Sequence, residues 1–290
     1  LKAAPAAKPY DSFMTETGII GLVIIIINVA FSWKGFTDHV FFDNYKFEVD
    51  RILKFKEYRR LLTSGFLHVS WVHLILNMFG LYMFSSFLGA QLGGISFLII
   101  YFISLIGGDL LALFIHRQHG DYSSVGASGA VCGIIFASIA LFPDMRMSLF
   151  GLLPIPSWAF GLLYVGYSMY GIRSKRDNIG HEAHLGGALL GMIVAVLLEP
   201  AAFANNYVTI LIITVPVIVF IFVIVSRPQT LMIDNYYFKA HSTYFDIDDK
   251  YNEEKVNKQH ELDRLLDKIG KTGIDSLSKK ERQRLDELSK

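Results

Sequence analysis

His73 with Asn77, the run Gly126-Ala127-Ser128-Gly129, and Ala183-His184-Leu185-Gly186-Gly187 each sit near the start of an apolar stretch of membrane length. Hydrocarbon is a poor solvent for an imidazole, a carboxamide and a hydroxyl, so polar groups placed there point to chemistry more than to packing. A serine hydroxyl becomes a useful nucleophile when a general base takes its proton, and a histidine is the usual base. Ser128 and His184 are the candidates for those two roles. A tetrahedral intermediate at Ser128 also needs donors aimed at its oxyanion, each worth about 2.7–4 kcal/mol. His73 and Asn77, four residues apart, share one helix face and both can donate. The backbone N–H of Ser128 is a third donor.

These residues must be positioned by membrane-length elements. A bilayer core of about 30 Å needs roughly 20 apolar residues of helix. On that measure seven spans are expected: Gly18–Trp33, Phe66–Leu88, Ile95–Ile115, Ser128–Phe142, Trp158–Tyr170, Glu182–Leu198 and Tyr207–Ser226. The second, fourth and sixth run the same way, so their N-terminal ends lie on one face, and His73, Ser128 and His184 fall within about two turns of those ends. If Ser128 and His184 are to touch, the fourth and sixth helices must approach closely. Gly129-x-x-x-Gly133 and Gly187-x-x-x-Gly191 give each a small-residue face for that purpose. Gly126 and Gly129 let the backbone turn and leave room beside the hydroxyl, and Gly126 is also expected among the close-packing glycines.

Of the 290 residues, 52% are hydrophobic, while charge is concentrated in the loops and after Arg227. That describes an all-α polytopic membrane protein with a soluble charged tail. The net charge of +1 lacks the basic excess of nucleic-acid-binding domains. Cys132 stands alone, so an intrachain disulfide is excluded and redox compartment is not indicated. The Ala/Pro/Lys-rich start at Leu1 reads as a truncated or processed segment rather than a signal peptide. The expected organisation is an N-terminal segment over residues 1–16, a six-helix core over 17–200, an additional helix over 206–226 and a tail over 227–290.

Between the first two spans, residues 34–65 interleave charges with Phe36, Phe41, Phe42 and Tyr45, which suggests short helices lying in the membrane interface. Pro143, Pro154 and Pro156 bracket the link between spans four and five and mark helix boundaries, and Pro216 falls within the last span, where a kink is tolerable because neighbouring helices or side chains can satisfy the freed carbonyl. In the tail, Leu262, Leu265, Leu266 and Ile269 recur at helical spacing ahead of Gly270, and Ser278-Lys279-Lys280-Glu281 has capping-box spacing for a second helix. A helical hairpin is expected there, against the alternative of a merely solvated tail.

Each element has a plainer reading. Gly/Ala/Ser runs are common in packed membrane helices, and Ala130 with no preceding strand sets the serine apart from an α/β-hydrolase elbow. His68 and His181 read as interfacial or supporting residues. A metal site built from the four histidines is the weaker reading, because no HExxH-type pattern accompanies them and Glu182 faces away; no metal and no cofactor are expected. Asp109, the one mid-span acid, reads as paired or near a helix end, without a catalytic role.

Taken together these residues resemble the rhomboid family of intramembrane serine proteases: the GxSG run at Gly126–Gly129, the HxxxN pair His73/Asn77 and the AHxxGxxxG pattern of Ala183–Gly191. The resemblance covers roughly residues 17–200. It implies a Ser128–His184 catalytic dyad without an acid, oxyanion donors at His73, Asn77 and the Ser128 amide, an interfacial first loop, and substrates that are transmembrane segments of other proteins, admitted between helices two and five. The seventh span implies the six-plus-one form. The chain departs from the family's Trp-Arg pair in that loop, having Arg59-Arg60, so Arg60 alone can keep the arginine's role.

Sidedness is contested between two rules. The loops on the active-site face carry eleven Lys and Arg, against Arg146, Lys2 and Lys8 on the other, so the positive-inside rule puts the site in the cytoplasm. The family resemblance puts it on the extracytoplasmic side of a bacterial plasma membrane, and that is the expectation retained. The rival function is a catalytically silent rhomboid-like protein that binds or routes membrane clients, though such relatives generally lack the serine or the histidine. A transporter would show internal repeats and coupling-ion carboxylates, and neither is seen.

Overall fold

The computed structural model of the chain describes residues 16–149, 153–174, 179–226, 265–266, 268–270 and 277–288. Its N-terminal unit, residues 1–231, is built on long helices: α1 (Glu16–Thr37), α5 (Trp71–Leu92), α6 (Gly94–Ile115), α7 (Ser128–Leu141), α8 (Ser157–Ser174), α9 (His181–Leu198) and α10 (Pro200–Ser226). Five of these, α1, α5, α6, α9 and α10, are long and apolar enough to cross a membrane on their own. Helices stand at all seven expected places; of the other two, α7 has only 14 residues, and α8 is diluted by Ser157, Tyr164, Ser168 and Arg173. The outward faces of α5, α6 and α10 present Val72, Ile75, Phe79, Ile95 and Phe222. So large an apolar girdle is untenable in water and fits a lipid phase. The chain is an all-α polytopic membrane protein.

The second span starts later than its hydropathy implies. Phe66 ends a 3-10 turn, Ser64–Phe66, and Leu67 is extended. Ser70 then caps α5 by accepting the His73 amide at 3.2 Å, satisfying an orphan donor of the first turn. At the other end Gly93, with φ +84°, turns the chain directly into α6. The last span is preceded by an extra helical stretch. The helix starts at Pro200, breaks at Asn206 (φ −124°, ψ 18°) and resumes over the expected span from Tyr207, with Pro216 inside it. The freed Asn206 carboxamide donates to Ala140 O at 2.9 Å and Leu141 O at 3.1 Å, so it covers the C-terminal carbonyls of α7.

The long first loop folds into α2 (His39–Tyr45), β1 (Phe47–Glu48), α3 (Val49–Leu53) and α4 (Arg60–Thr63) ahead of the 3-10 turn. β1 pairs antiparallel with β2 (Ser123–Ser124), Phe47 opposite Ser124, which fastens this loop to the segment leading into α7. Phe47, Val49 and Ile52 pack with Ala112, Leu113 and Ala183 beneath it. Arg60, 2% exposed, donates to Asp43 O and Lys46 O and pairs with Glu57. Between α7 and α8 lies an antiparallel hairpin that the prolines did not announce, β3 (Arg146–Leu149) with β4 (Leu153–Pro156).

At the centre α7 packs on α9, α6 and α5, with α1 against α5, and α8 and α10 against both α7 and α9. The C-terminal unit is residues 232–290. There α11 (Lys279–Leu288) starts at a reciprocal box, the Glu281 amide donating to Ser278 Oγ at 3.2 Å and the Ser278 amide to Glu281 Oε2 at 2.8 Å. The leading part of the expected hairpin, from Glu254, lies largely outside the described residues.

Candidate active site

A 14-residue helix is about 21 Å long, short of the roughly 30 Å hydrocarbon core. A helix of this length cannot reach both faces of the core, so at least one of its ends, Ser128 or Leu141, lies below a membrane face. Ala127 precedes the helix without a side-chain cap, so the first-turn amides of Ser128, Gly129 and Ala130 have no intrahelical partner. They are oriented donors at the positive end of the helix dipole.

Ser128 Oγ lies 2.6 Å from His184 Nε2. The other ring nitrogen, Nδ1, lies 2.9 Å from the hydroxyl of Tyr164 on α8. For Nε2 to take a proton from Ser128 it must carry the lone pair, which puts the hydrogen on Nδ1 and makes Tyr164 its acceptor. Tyr164 in turn stands 3.0 Å from Cys132 Sγ, one turn along α7 from Ser128. Ser128, His184, Tyr164 and Cys132 thus form one chain of hydrogen bonds across three helices. Tyr164 carries no motif and was missed from the sequence, since α8 offers Tyr164, Tyr167 and Tyr170 at similar spacing.

The helix contact that permits this is made by glycine. A Cβ at Gly187 would strike the Gly129 carbonyl, and one at Gly191 the Gly133 carbonyl, so α7 and α9 touch backbone to backbone. Gly126 does not belong to that seam and is corrected here: with φ +137° it shapes the turn before α7, against the His73 ring. A Cβ at Gly126 would lie 2.9 Å from His73 Nε2 and 3.5 Å from Ser128 Oγ. The space a side chain would fill there is bounded by both groups, as an oxyanion pocket requires. Asn77, 6% exposed, spends one amide hydrogen on His73 O at 3.0 Å and keeps the second.

His68 holds the turn from behind. Ser32 donates its hydroxyl hydrogen to Phe66 O at 3.1 Å, so its oxygen accepts from His68 Nδ1 at 2.9 Å. Nε2 of the same ring is then the acceptor for the Ala127 amide, 3.5 Å away. Ser64 O receives the next amide, that of Gly126, at 3.0 Å. Elsewhere, His181 packs edge-on against Tyr167, and Glu182 pairs with His116 at 3.2 Å, whose ring stacks on Tyr122. Among the described residues no group of three His, Cys, Asp or Glu is arranged to hold a metal. In the loop above, the hydrogen bond from Arg60 holds the Glu57 carboxyl below the usual carboxylate range.

The chain is 29% identical over 190 residues to the RHOMBOID-like protein 12, mitochondrial, of Arabidopsis thaliana, covering 60% of this chain and 56% of that protein. It is 32% identical over 138 residues to the Rhomboid protein 1, mitochondrial, of Saccharomyces cerevisiae, covering 46% and 40%. It is 29% identical over 140 residues to the Presenilin-associated rhomboid-like protein A, mitochondrial, of Danio rerio, covering 46% and 35%. The chain therefore spans between about a third and a little over half the length of these relatives. Residues 245–290 match a family of unknown function (DUF6576). Residues 56–201, half of the chain, match the Rhomboid domain and contain His73, Asn77, Ser128, His184 and all the glycines of the α7–α9 seam. The chain belongs to the rhomboid family.

Proposed function

We propose that the chain is an intramembrane serine endopeptidase that cleaves transmembrane segments of other membrane proteins through a Ser128–His184 dyad. The observation that carries this reading is the 2.6 Å contact of Ser128 Oγ with His184 Nε2 at the start of a helix too short to span. His184 Nε2 takes the hydroxyl proton as Oγ attacks the scissile carbonyl, and the oxyanion so formed is met by the Ser128 amide, His73 and Asn77. The protonated His184 then gives its proton to the departing amine, leaving an acyl-Ser128 that water, deprotonated by the same ring, hydrolyses. A helical substrate must unwind to offer a peptide bond, so helix-weakening residues favour cleavage.

The membrane assigned to the chain in this reading is a bacterial plasma membrane, with the site towards the extracytoplasmic side; the relatives named above are mitochondrial proteins. The test is labelling of detergent-solubilised protein by a fluorophosphonate probe. Wild type labels, Ser128→Ala and His184→Ala do not, and Asn77→Ala labels more slowly. Absence of labelling in folded wild type would replace this reading with that of a silent client-binding relative.

A further inference from the structure

The mechanism above makes no use of Asp109, a carboxyl buried in α6 about 9 Å from the helix's end on the active-site face. Its Oδ2 lies 2.8 Å from Ser64 Oγ, and that same Oγ lies 2.6 Å from Arg60 O. A serine hydroxyl has one hydrogen. Arg60 O is a main-chain carbonyl and can only accept, so the Ser64 hydrogen goes to it. The contact with Asp109 is then a hydrogen bond only if the carboxyl itself brings the second hydrogen.

Among the described residues no cation is bonded to this carboxyl. Of the elements packed on α6, α4 brings Arg60, whose guanidinium is turned to Glu57, Asp43 O and Lys46 O. On α9, Glu182 pairs with His116 and His184 with Ser128, while His181 lies against Tyr167. α7 brings Cys132, which contacts Tyr164, and α5 brings His73, against Gly126, and Tyr82. α1 brings Lys34, paired with Asp38. Among the described residues Ser64 is the one side chain bonded to Asp109.

We infer that Asp109 is a positioning residue that acts as a neutral carboxylic acid, donating to Ser64 and thereby fixing the turn that carries Gly126 into the active site. The link is short: Asp109 fixes Ser64, Ser64 O holds the Gly126 amide, and Gly126 separates His73 from Ser128. Loss of the proton leaves one Ser64 hydrogen for two acceptors, and one of the two contacts turns repulsive. Alkaline pH therefore loosens the turn, while an asparagine, which donates from a side chain of the same shape, keeps it.

The catalytic arm of the test rests on the protease reading; a spectroscopic arm does not. In the infrared difference spectrum of wild type against Asp109→Asn in detergent, the carbonyl stretch of a protonated carboxyl appears at neutral pH and is lost as pH rises. Fluorophosphonate labelling of wild type falls over the same pH range. Asp109→Asn keeps its neutral-pH labelling rate within about threefold and loses that alkaline fall, whereas Asp109→Ala and Ser64→Ala are slower by about tenfold at all pH. A difference spectrum without the protonated band, or an Asp109→Asn rate as low as that of Asp109→Ala, overturns the proposal. If wild type is unlabelled at every pH the protease reading fails, and the infrared band alone then decides the state of Asp109.

Discussion

The Tyr164 hydroxyl lies 2.9 Å from Nδ1 of His184, on the opposite edge of the ring from Ser128. A base oriented by a tyrosine instead of a carboxylate gains a fixed tautomer without a buried negative charge, which hydrocarbon would penalise heavily. Tyr164→Phe removes that acceptor and keeps the ring. One neutral hydrogen bond is worth about 0.5–1.5 kcal/mol, so kcat for a transmembrane substrate should fall about three- to tenfold with KM nearly unchanged. Steady-state kinetics in detergent check this, and a change confined to KM would place Tyr164 in substrate binding instead.

The α7–α9 seam makes a second prediction. A methyl group at Gly187 would strike the Gly129 carbonyl, and the two backbones must part to admit it. Overpacking of this kind costs about 1–3 kcal/mol, and here the displacement also separates Ser128 from His184. Gly187→Ala is therefore expected to lower the midpoint of thermal unfolding and to suppress fluorophosphonate labelling by more than the stability loss explains. Gly166→Ala on α8, where nothing lies within 4 Å of the added carbon, should leave both unchanged.

The arrangement of the candidate site was readable because residue type and spacing speak for it directly. His73 and Asn77 share a face at four residues, Ser128 and His184 head parallel helices, and Gly129, Gly133, Gly187 and Gly191 mark a close seam. What escaped was set by local backbone or by tertiary choice. Gly126 makes the expected turn, with φ +137°, but takes no part in the seam. Phe66 and Leu67 prolong the hydropathy of the second span, yet the Ser70 cap decides where α5 begins. The boundary at 206 was legible, but the helical stretch from Pro200 ahead of it and the two α7 carbonyls that Asn206 satisfies at the break depend on another helix. Tyr164 differs from Tyr167 and Tyr170 only in which helix it meets.

The first loop should respond to acid. Glu57 is held below the ordinary carboxylate range, first by its hydrogen bond from Arg60 and against the opposing effect of burial. A carboxyl lowered in the folded state stabilises it above its unfolded value, near 4.5, and that contribution is lost as pH falls through the folded value. Arg60 also holds Asp43 O and Lys46 O, and α4 leads directly into Ser64, whose carbonyl holds Gly126. Protonating Glu57 thus relaxes the loop next to the Ser128 turn. Hydrogen exchange at the amides of Arg60–Thr63, corrected for the intrinsic pH dependence of exchange, should rise several-fold on acidification below about pH 4. Glu57→Gln should remove that dependence, and Arg60→Ala should give fast exchange at every pH. An acid response that persists in Glu57→Gln would assign the effect to another carboxylate of the loop, with Asp38 next in line, since the Phe41 amide and Lys34 lower it as well.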